Sequence, residues 1–464
     1  MKISINKIGY WLAIGVLISA GSFSGFGQTA SKPLLQDIQV YKEPVTPKAP
    51  ASLVKKTGSS TPSSSITASM IKTSIPVLAD AMIPGLSGVL VETLDGNVVV
   101  ESGSHSPLNP ASNVKIATAY AVLKTFGPDY RFPTNVWTDG SYEEATGTIH
   151  GNLYISGRDP MFGFEHAVTL ASELNRMGIR IINGDLVVTD NFAMNYSQSP
   201  QNSSHVLFAT LDASKRSAAA SRSFANHSIS SGKVPGAISS VTFAGGVYVQ
   251  PMPGNVKLLF SHESTTLREI VKTTMCYSNN FLAERLGDMV GGPYAVARLV
   301  QQNAGVSPAD FYIQTSSGLG TNRVTANAMM KLLHTLRNEL GRYKMTFADI
   351  MPVAGVDKGT LENRFDTDFS SGSVVGKTGT LGQTDGGVSA LAGEISTRGG
   401  KFLFVIFNQR GSVSRFRSFQ NNYVSLIQGQ FGGAAPMTYS AIPLNVRMAK
   451  TRITYPDARA ARNE

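Results

Sequence analysis

The 464 residues include a single cysteine, Cys276, so no intramolecular disulfide can frame the fold. Charge is scarce as well, with Asp, Glu, Lys and Arg at 16% of the chain. What charge there is leans basic, at a formal net +10 and a pI of about 9.5. That balance suits an anionic partner in general, such as an acidic wall polymer or anionic lipid. Extended Lys/Arg blocks and zinc-finger spacing are both missing, which argues against a nucleic-acid partner. His262-Glu263 lacks the second histidine of H-E-x-x-H, so the zinc-peptidase pattern is missing too. The apolar run from Ile8 to Ala20 is shorter than the roughly 20 residues of a membrane span. Preceded by Lys2 and Lys7 and followed by GSFSGFG, it reads as an export signal over 1–27, cleaved near Gly27. Export would place the protein in the periplasm or cell envelope. With no cysteine near the cleavage point, a lipid anchor there is excluded.

What the chain does contain is apolar and turn-forming sequence: 42% hydrophobic residues and 45 glycines, enough for a large core of mixed structure. Residues 28–67 carry Pro44, Pro47, Pro50 and Pro62 with GSSTPSSS, the composition of a tether. From residue 68 the pattern organises. SGVLVETL and NVVVES flank Asp95-Gly96 as a hairpin. NPASNVKIATAYAVLKTFGP (109–128) predicts a helix that is apolar nearly all round and therefore buried. Residues 133–262 change texture and read as a β-rich insertion, with long loops expected over the Ser/Ala/Asn-rich stretch 197–240. Helical pattern returns at 265–290 and 325–340. Three β-runs at 373–381, 386–395 and 401–410 follow, and then a helix at 414–431. The whole predicts an α+β fold, a largely antiparallel sheet with helices on its faces.

S-x-x-K occurs at Ser4/Lys7, Ser52/Lys55, Ser69/Lys72, Ser112/Lys115 and Ser230/Lys233, and K-T-G at 56–58 and 377–379. Mechanism has to choose between the copies. A serine nucleophile needs its lysine on the same face of a rigid helix and partly desolvated, because an amine near its usual pKa is protonated and accepts nothing. Only Ser112 opens an apolar helix, after Pro110; Ser52 sits in the tether and Ser230 in a Ser/Gly-rich loop. Taken alone, Ser112 and Lys115 fit an ordinary cap with a solvated lysine equally well. Ser278-x-Asn280 supplies a hydroxyl and a carboxamide in a turn between helices. Lys377-Thr378-Gly379-Thr380 lies in a β-run, where Lys377 and Gly379 share a face and the glycine lets a substrate backbone approach. Helix start, turn and strand together select Ser112.

These segments resemble the penicillin-binding D-alanyl-D-alanine carboxypeptidases/endopeptidases of the S13 peptidase family. The resemblance extends through GNLYISGRDPMF, INGDLVVTDNF, SSGLGTNRVTANAMMKLL and MPVAGVDKGTLENRF, over about residues 85–410. It implies a penicillin-binding/β-lactamase-like transpeptidase fold in two parts, 68–132 and 263–436, with 133–262 inserted and 437–464 as a tail. It further implies Ser112 as acylating nucleophile, Lys115 as base and Ser278 as proton shuttle. Asn280 would orient Lys115 and the substrate amide, Lys377 and Thr378 would bind the terminal carboxylate beside Gly379, and the N–H groups of Ser112 and Thr380 would hold the oxyanion. Peptidoglycan stem peptides and β-lactam antibiotics are the implied partners, with no cofactor and no metal. A serine β-lactamase and a non-catalytic wall-binding protein on the same fold are the alternatives. The chain departs from the family in TSSGLG (315–320), where Thr315 replaces an acid and Gly320 a hydroxyl. It departs also in Arg158, where glycine is common, and in a short Ser112–Ser278 span.

Overall fold

A computed structural model of the chain describes residues 71–232 and 238–456, which belong to one compact unit, Thr67–Glu464. The expected export signal and tether lie outside the described residues. So do Ser4, Ser52, Ser69, Lys233 and the first K-T-G.

The central sheet is built from β-branched and aromatic runs joined by short turns. Leu86–Thr93 and Val98–Ser102 pair antiparallel around Asp95-Gly96, where Gly96 takes φ 86°. Gly400–Gln409 lies on the other side of Leu86–Thr93, followed by Val388–Thr397 and then Val374–Leu381 at the edge, all antiparallel. Every residue of Val388–Thr397 is buried, since both faces of the sheet are covered. Alternate side chains serve different cores. Leu90, Ala390, Ala392 and Leu403 face one way with the helix Ala326–Arg342. Val89, Val91, Leu391 and Phe404 face the other, toward Tyr423, Val424 and Ile427 of the helix Val413–Gln430.

The helix Val114–Phe126 runs through the first of these cores, with Val114 to Leu123 all buried. Gly127, at φ 78°, ends it by returning its N–H to Leu123 O. Asn113 makes no capping bond. The helix is therefore held by packing, at about 1.5–3 kcal/mol for each fully buried Val, Leu or Ile. Around it stand Leu267–Tyr277, Asn280–Met289, Pro293–Ala304 and Ala326–Arg342.

A second core, from Val136 to Phe260, fills the 133–262 region. Its entry and exit strands, Arg131–Thr138 and Lys257–Thr266, are antiparallel neighbours. Between them a short unit occurs three times: IHGNLYI (149–155), INGDLVV (182–188) and FAGGVYV (243–249). Each gives two short strands separated by a glycine turn. The copies stack parallel in register, Ile149↔Ile182↔Phe243 in one sheet and Leu153↔Leu186↔Val247 in another. Parallel pairing requires crossovers, and helices supply them. Phe164–Arg176 makes the first, and Pro200–Leu211 with Ala218–Ser230 the second. The latter two replace the loops expected over 197–240. Ser199 and Ser217 cap them, accepting from Asn202 N and Ala220 N, and Ser230 closes the second helix instead of lying in a loop.

Beyond 437 the chain stays ordered to 456. The helix Leu444–Met448 sends Arg447 Nη1 to Glu269 Oε2 at 2.5 Å, and Arg452–Thr454 adds an edge strand to Lys257–Thr266.

Candidate active site

Ser112 sits in the 3₁₀ turn Ala111–Asn113 that opens the buried helix. The turn is tight: Ala111 has φ 46°, and Asn109 Oδ1 accepts its N–H at 3.0 Å. One helical turn on, Lys115 is 1% exposed, which rules out the solvated lysine of an ordinary cap. Its Nζ lies 3.0 Å from Ser112 Oγ and donates to Asn280 Oδ1 at 2.8 Å and Ser317 O at 2.6 Å. Burial pushes this amine well below the ordinary lysine range. The positive charge of Lys377 pushes it the same way, and the carboxylate of Glu284 opposes both.

The Ser278 turn arises because the helix Leu267–Tyr277 stops at a left-handed residue, Ser278 at φ 52°, and a new helix starts at Asn280. Asn279 is the cap, accepting from Leu282 N at 3.0 Å. The carboxamide of Asn280 is thereby left to face Lys115. Ser278 Oγ accepts from Lys377 Nζ at 2.8 Å, and Thr378 O accepts from it at 2.7 Å. Lys377 is fully buried, and its burial brings the amine down to about 7. The structure thus gathers two clusters, Ser112–Lys115–Asn280 and Ser278–Lys377. Among the described residues no hydrogen bond joins them; the two amines couple by charge alone.

Val374–Leu381 is an edge strand, so alternate backbone groups point away from the sheet. Gly376 N–H does so, donating to Pro352 O, and the alternation carries Thr378 and Thr380 N–H outward with it. Packing also requires glycine at 379. A Cβ there would lie 2.6 Å from Pro110 O, 3.0 Å from Ala111 Cβ and 3.1 Å from Ala390 Cβ. It lets the strand close on the turn that carries Ser112. Thr378 is buried, whereas Thr380 is exposed and its Oγ1 accepts from Arg417 Nη2 at 2.9 Å.

Several residues that hold these pieces escape a sequence reading. Glu284, one turn after Asn280, accepts the N–H groups of Ser316 (3.0 Å) and Ser317 (2.9 Å) and so positions the carbonyl that Lys115 uses. Its spacing from Asn280 was the available signal. Asp385 accepts from Asn109 Nδ2 at 2.7 Å and from both terminal nitrogens of Arg323, tying the nucleophile turn to the segment after the K-T-G strand, and Asn109 Nδ2 also donates to Gly320 O of the TSSGLG loop at 3.0 Å. In the loop, Thr315 Oγ1 donates to Leu319 O and accepts from Gly318 N, so a hydroxyl closes the turn. Gly318 (φ 90°) presses against Ala111 O, which a Cβ would meet at 2.0 Å. The lone cysteine, Cys276, is buried, and burial raises its thiol to about 12.

The chain is 26% identical over 434 residues to the D-alanyl-D-alanine carboxypeptidase of Actinomadura sp. (strain R39), covering 72% of this chain and 79% of that protein. Its fold is similar to that of a predatory endopeptidase from Bdellovibrio bacteriovorus, solved acylated by penicillin G in complex with an immunity protein. There the TM-score is 0.67 at 21% identity, over 80% of this chain and 100% of the other. Penicillin binding protein 4 (dacB) from Haemophilus influenzae aligns with a TM-score of 0.56 at 21% identity, over 75% of this chain and 97% of the other. The model of the D-Ala-D-Ala carboxypeptidase 3 (S13) family matches residues 70–236 and 237–427, and the chain belongs to that family.

Proposed function

We propose that the chain is a serine D,D-peptidase that cuts D-Ala-D-Ala termini or peptide crosslinks of peptidoglycan through an acyl-enzyme on Ser112, and that penicillins acylate the same hydroxyl. One observation carries the assignment of roles. Lys115 is buried beside Ser112 with two carbonyl acceptors, Asn280 Oδ1 and Ser317 O. A neutral amine has two N–H bonds and one lone pair. The two acceptors take the N–H bonds, leaving the lone pair for the Ser112 proton.

Ser112 Oγ attacks the D-alanyl carbonyl as its proton passes to Lys115 Nζ. The N–H groups of Ser112 and Thr380 receive the oxyanion. Collapse breaks the C–N bond, and the proton taken up by Lys115 Nζ passes by way of Ser278 Oγ to the leaving amine, which frees Lys115 for the next step. Water then cleaves the ester and restores Ser112. Thr378 and Thr380 face the carboxylate along the strand edge, with Lys377 lending charge from beneath. Glu284 does not serve as the second base a β-lactamase needs, since both its oxygens are taken by backbone N–H groups.

The same reading places the protein in the periplasm or cell envelope after cleavage near Gly27, and treats 133–262 as an insertion in the transpeptidase-like domain. Incubation with a fluorescent penicillin tests it. A long-lived adduct that maps to Ser112 and is lost in Ser112→Ala is expected. Rapid turnover of the adduct would indicate a lactamase. Absence of labelling, or labelling that survives Ser112→Ala, would refute the assignment.

A further inference from the structure

Lys377 is the residue the motif offers to a substrate carboxylate, yet its side chain is fully buried and already spans Ser278 Oγ and Thr378 O. A carboxylate lying along the strand edge also needs a cation that solvent, and hence substrate, can reach. Arg417 is such a cation. It projects from the second turn of the helix Val413–Gln430, is exposed, and donates from Nη2 to Thr380 Oγ1 at 2.9 Å. Its guanidinium therefore ends at the same residue whose N–H points out from the edge.

Arg364 reaches the next turn of the same helix. This second guanidinium donates to Asn421 Oδ1 at 2.8 Å and Gln420 Oε1 at 3.3 Å, both neutral acceptors. Burial depresses Arg364 to about 10, and the charge of Arg417 adds to the effect. Among the described residues neither arginine forms an ion pair, in contrast to Lys124, Lys272, Arg323 and Arg447. Two like charges placed together with only neutral partners favour an anion between or beside them, and guanidinium is the group that pairs with carboxylate in two parallel hydrogen bonds.

We infer that Arg417, together with the Thr380 hydroxyl, binds the carboxylate on the leaving-group side of the scissile amide and sets the requirement for that charge. The inference rests on the acyl-enzyme reading above. In the free enzyme Thr380 Oγ1 accepts from Arg417; with substrate present the hydroxyl turns to donate to the carboxylate, and Arg417 meets its other oxygen. The carboxylate of a terminal D-Ala and that of a penicillin nucleus both lie on the nitrogen side of the bond that opens, so one site serves both.

The test compares wild type, Arg417→Ala and Arg417→Lys for acylation by benzylpenicillin and by its methyl ester. It also compares cleavage of a diacylated Lys-D-Ala-D-Ala with that of its C-terminal amide. Arg417→Ala should lose roughly 10- to 100-fold in the acylation rate constant for the acid, the range of a hydrogen bond to a charged group. The loss for the ester should be much smaller, so that the acid-to-ester ratio collapses, with Arg417→Lys intermediate. Equal losses on acid and ester, or an undiminished rate on the acid, would overturn the assignment. If wild type is acylated by neither compound, the peptidase reading itself falls, and the arginine's role with it.

Discussion

Replacing Gly379 by alanine isolates the closeness of strand and nucleophile turn. The residue has an unstrained backbone for a side chain, so the effect is one of space alone. The added methyl would approach Pro110 O to 2.6 Å, which is 0.8 Å short of the 3.4 Å where ordinary contact begins. Neither side of the gap is a flexible side chain: the obstructing atoms are a backbone oxygen and the β-carbons of Ala111 and Ala390. The strand must therefore retreat from the turn by most of that distance. Ser112 N–H and Thr380 N–H then no longer converge, and a misplacement near 1 Å costs about 100-fold in rate. Overpacking alone costs about 1–3 kcal/mol of stability. The assay is the second-order rate constant for acylation by a fluorescent penicillin, with the unfolding midpoint measured on the same samples. Gly382→Ala is the control, since nothing lies within 4 Å of its missing Cβ. A folded Gly379→Ala protein acylated at the wild-type rate would refute the reasoning, as would an equal loss in Gly382→Ala.

Stability should depend on pH through Lys377. Its folded pKa of about 7 lies below the ordinary 10.5, so between those values the unfolded chain holds a proton the folded one lacks. Stability contributed by this group therefore rises from pH 7 to about 10, by an amount on the order of 5 kcal/mol, and is flat below pH 7. Urea unfolding of wild type and Lys377→Met across that range should diverge in favour of wild type as pH rises; parallel curves would contradict the burial argument. Asp357→Ala should destabilise the protein by about 3–5 kcal/mol in the same assay. It strands Lys272, which is 1% exposed and pairs with Asp357 at 2.6 Å; a loss below about 1 kcal/mol would mean that the carbonyls of Ala348 and Met351 suffice for it. Deleting residues 52–59, which spell both motifs in the tether, should leave penicillin labelling of the exported protein intact, and lost labelling would reopen the choice of nucleophile.

The parts of the fold that were legible are those whose signal is local. The Asp95-Gly96 hairpin, the apolar run of the nucleophile helix and the three β-runs after 373 each announce themselves within about twenty residues. Ser278-x-Asn280 was legible as a turn because its two polar residues interrupt a helical period. The helices at Pro200–Leu211 and Ala218–Ser230 were missed because serine and alanine carry little periodicity. Yet Ser199-Pro200 and Ser217 were sound start signals. The threefold IHGNLYI unit is only seven residues long and its copies stand some 33 and 61 positions apart, so it emerges only once the strands are aligned. Asn109, Arg323 and Asp385 form one clamp across 276 residues of sequence, and no spacing rule reaches that far. Gly379 was singled out for substrate approach; its packing against Pro110 and Ala111 emerges only when strand and turn are folded together.

The three stacked copies have a consequence for how such chains vary in length. The polypeptide enters the region along Arg131–Thr138 and leaves it along Lys257–Thr266, two strands bonded to each other, while Arg285 reaches in to Asn191 O and Asn445 to Ser230. Each copy adds one rung to two ladders at once, together with the crossover that reaches it. A rung could therefore be gained or shed as a whole cassette while the two flanking strands keep their register.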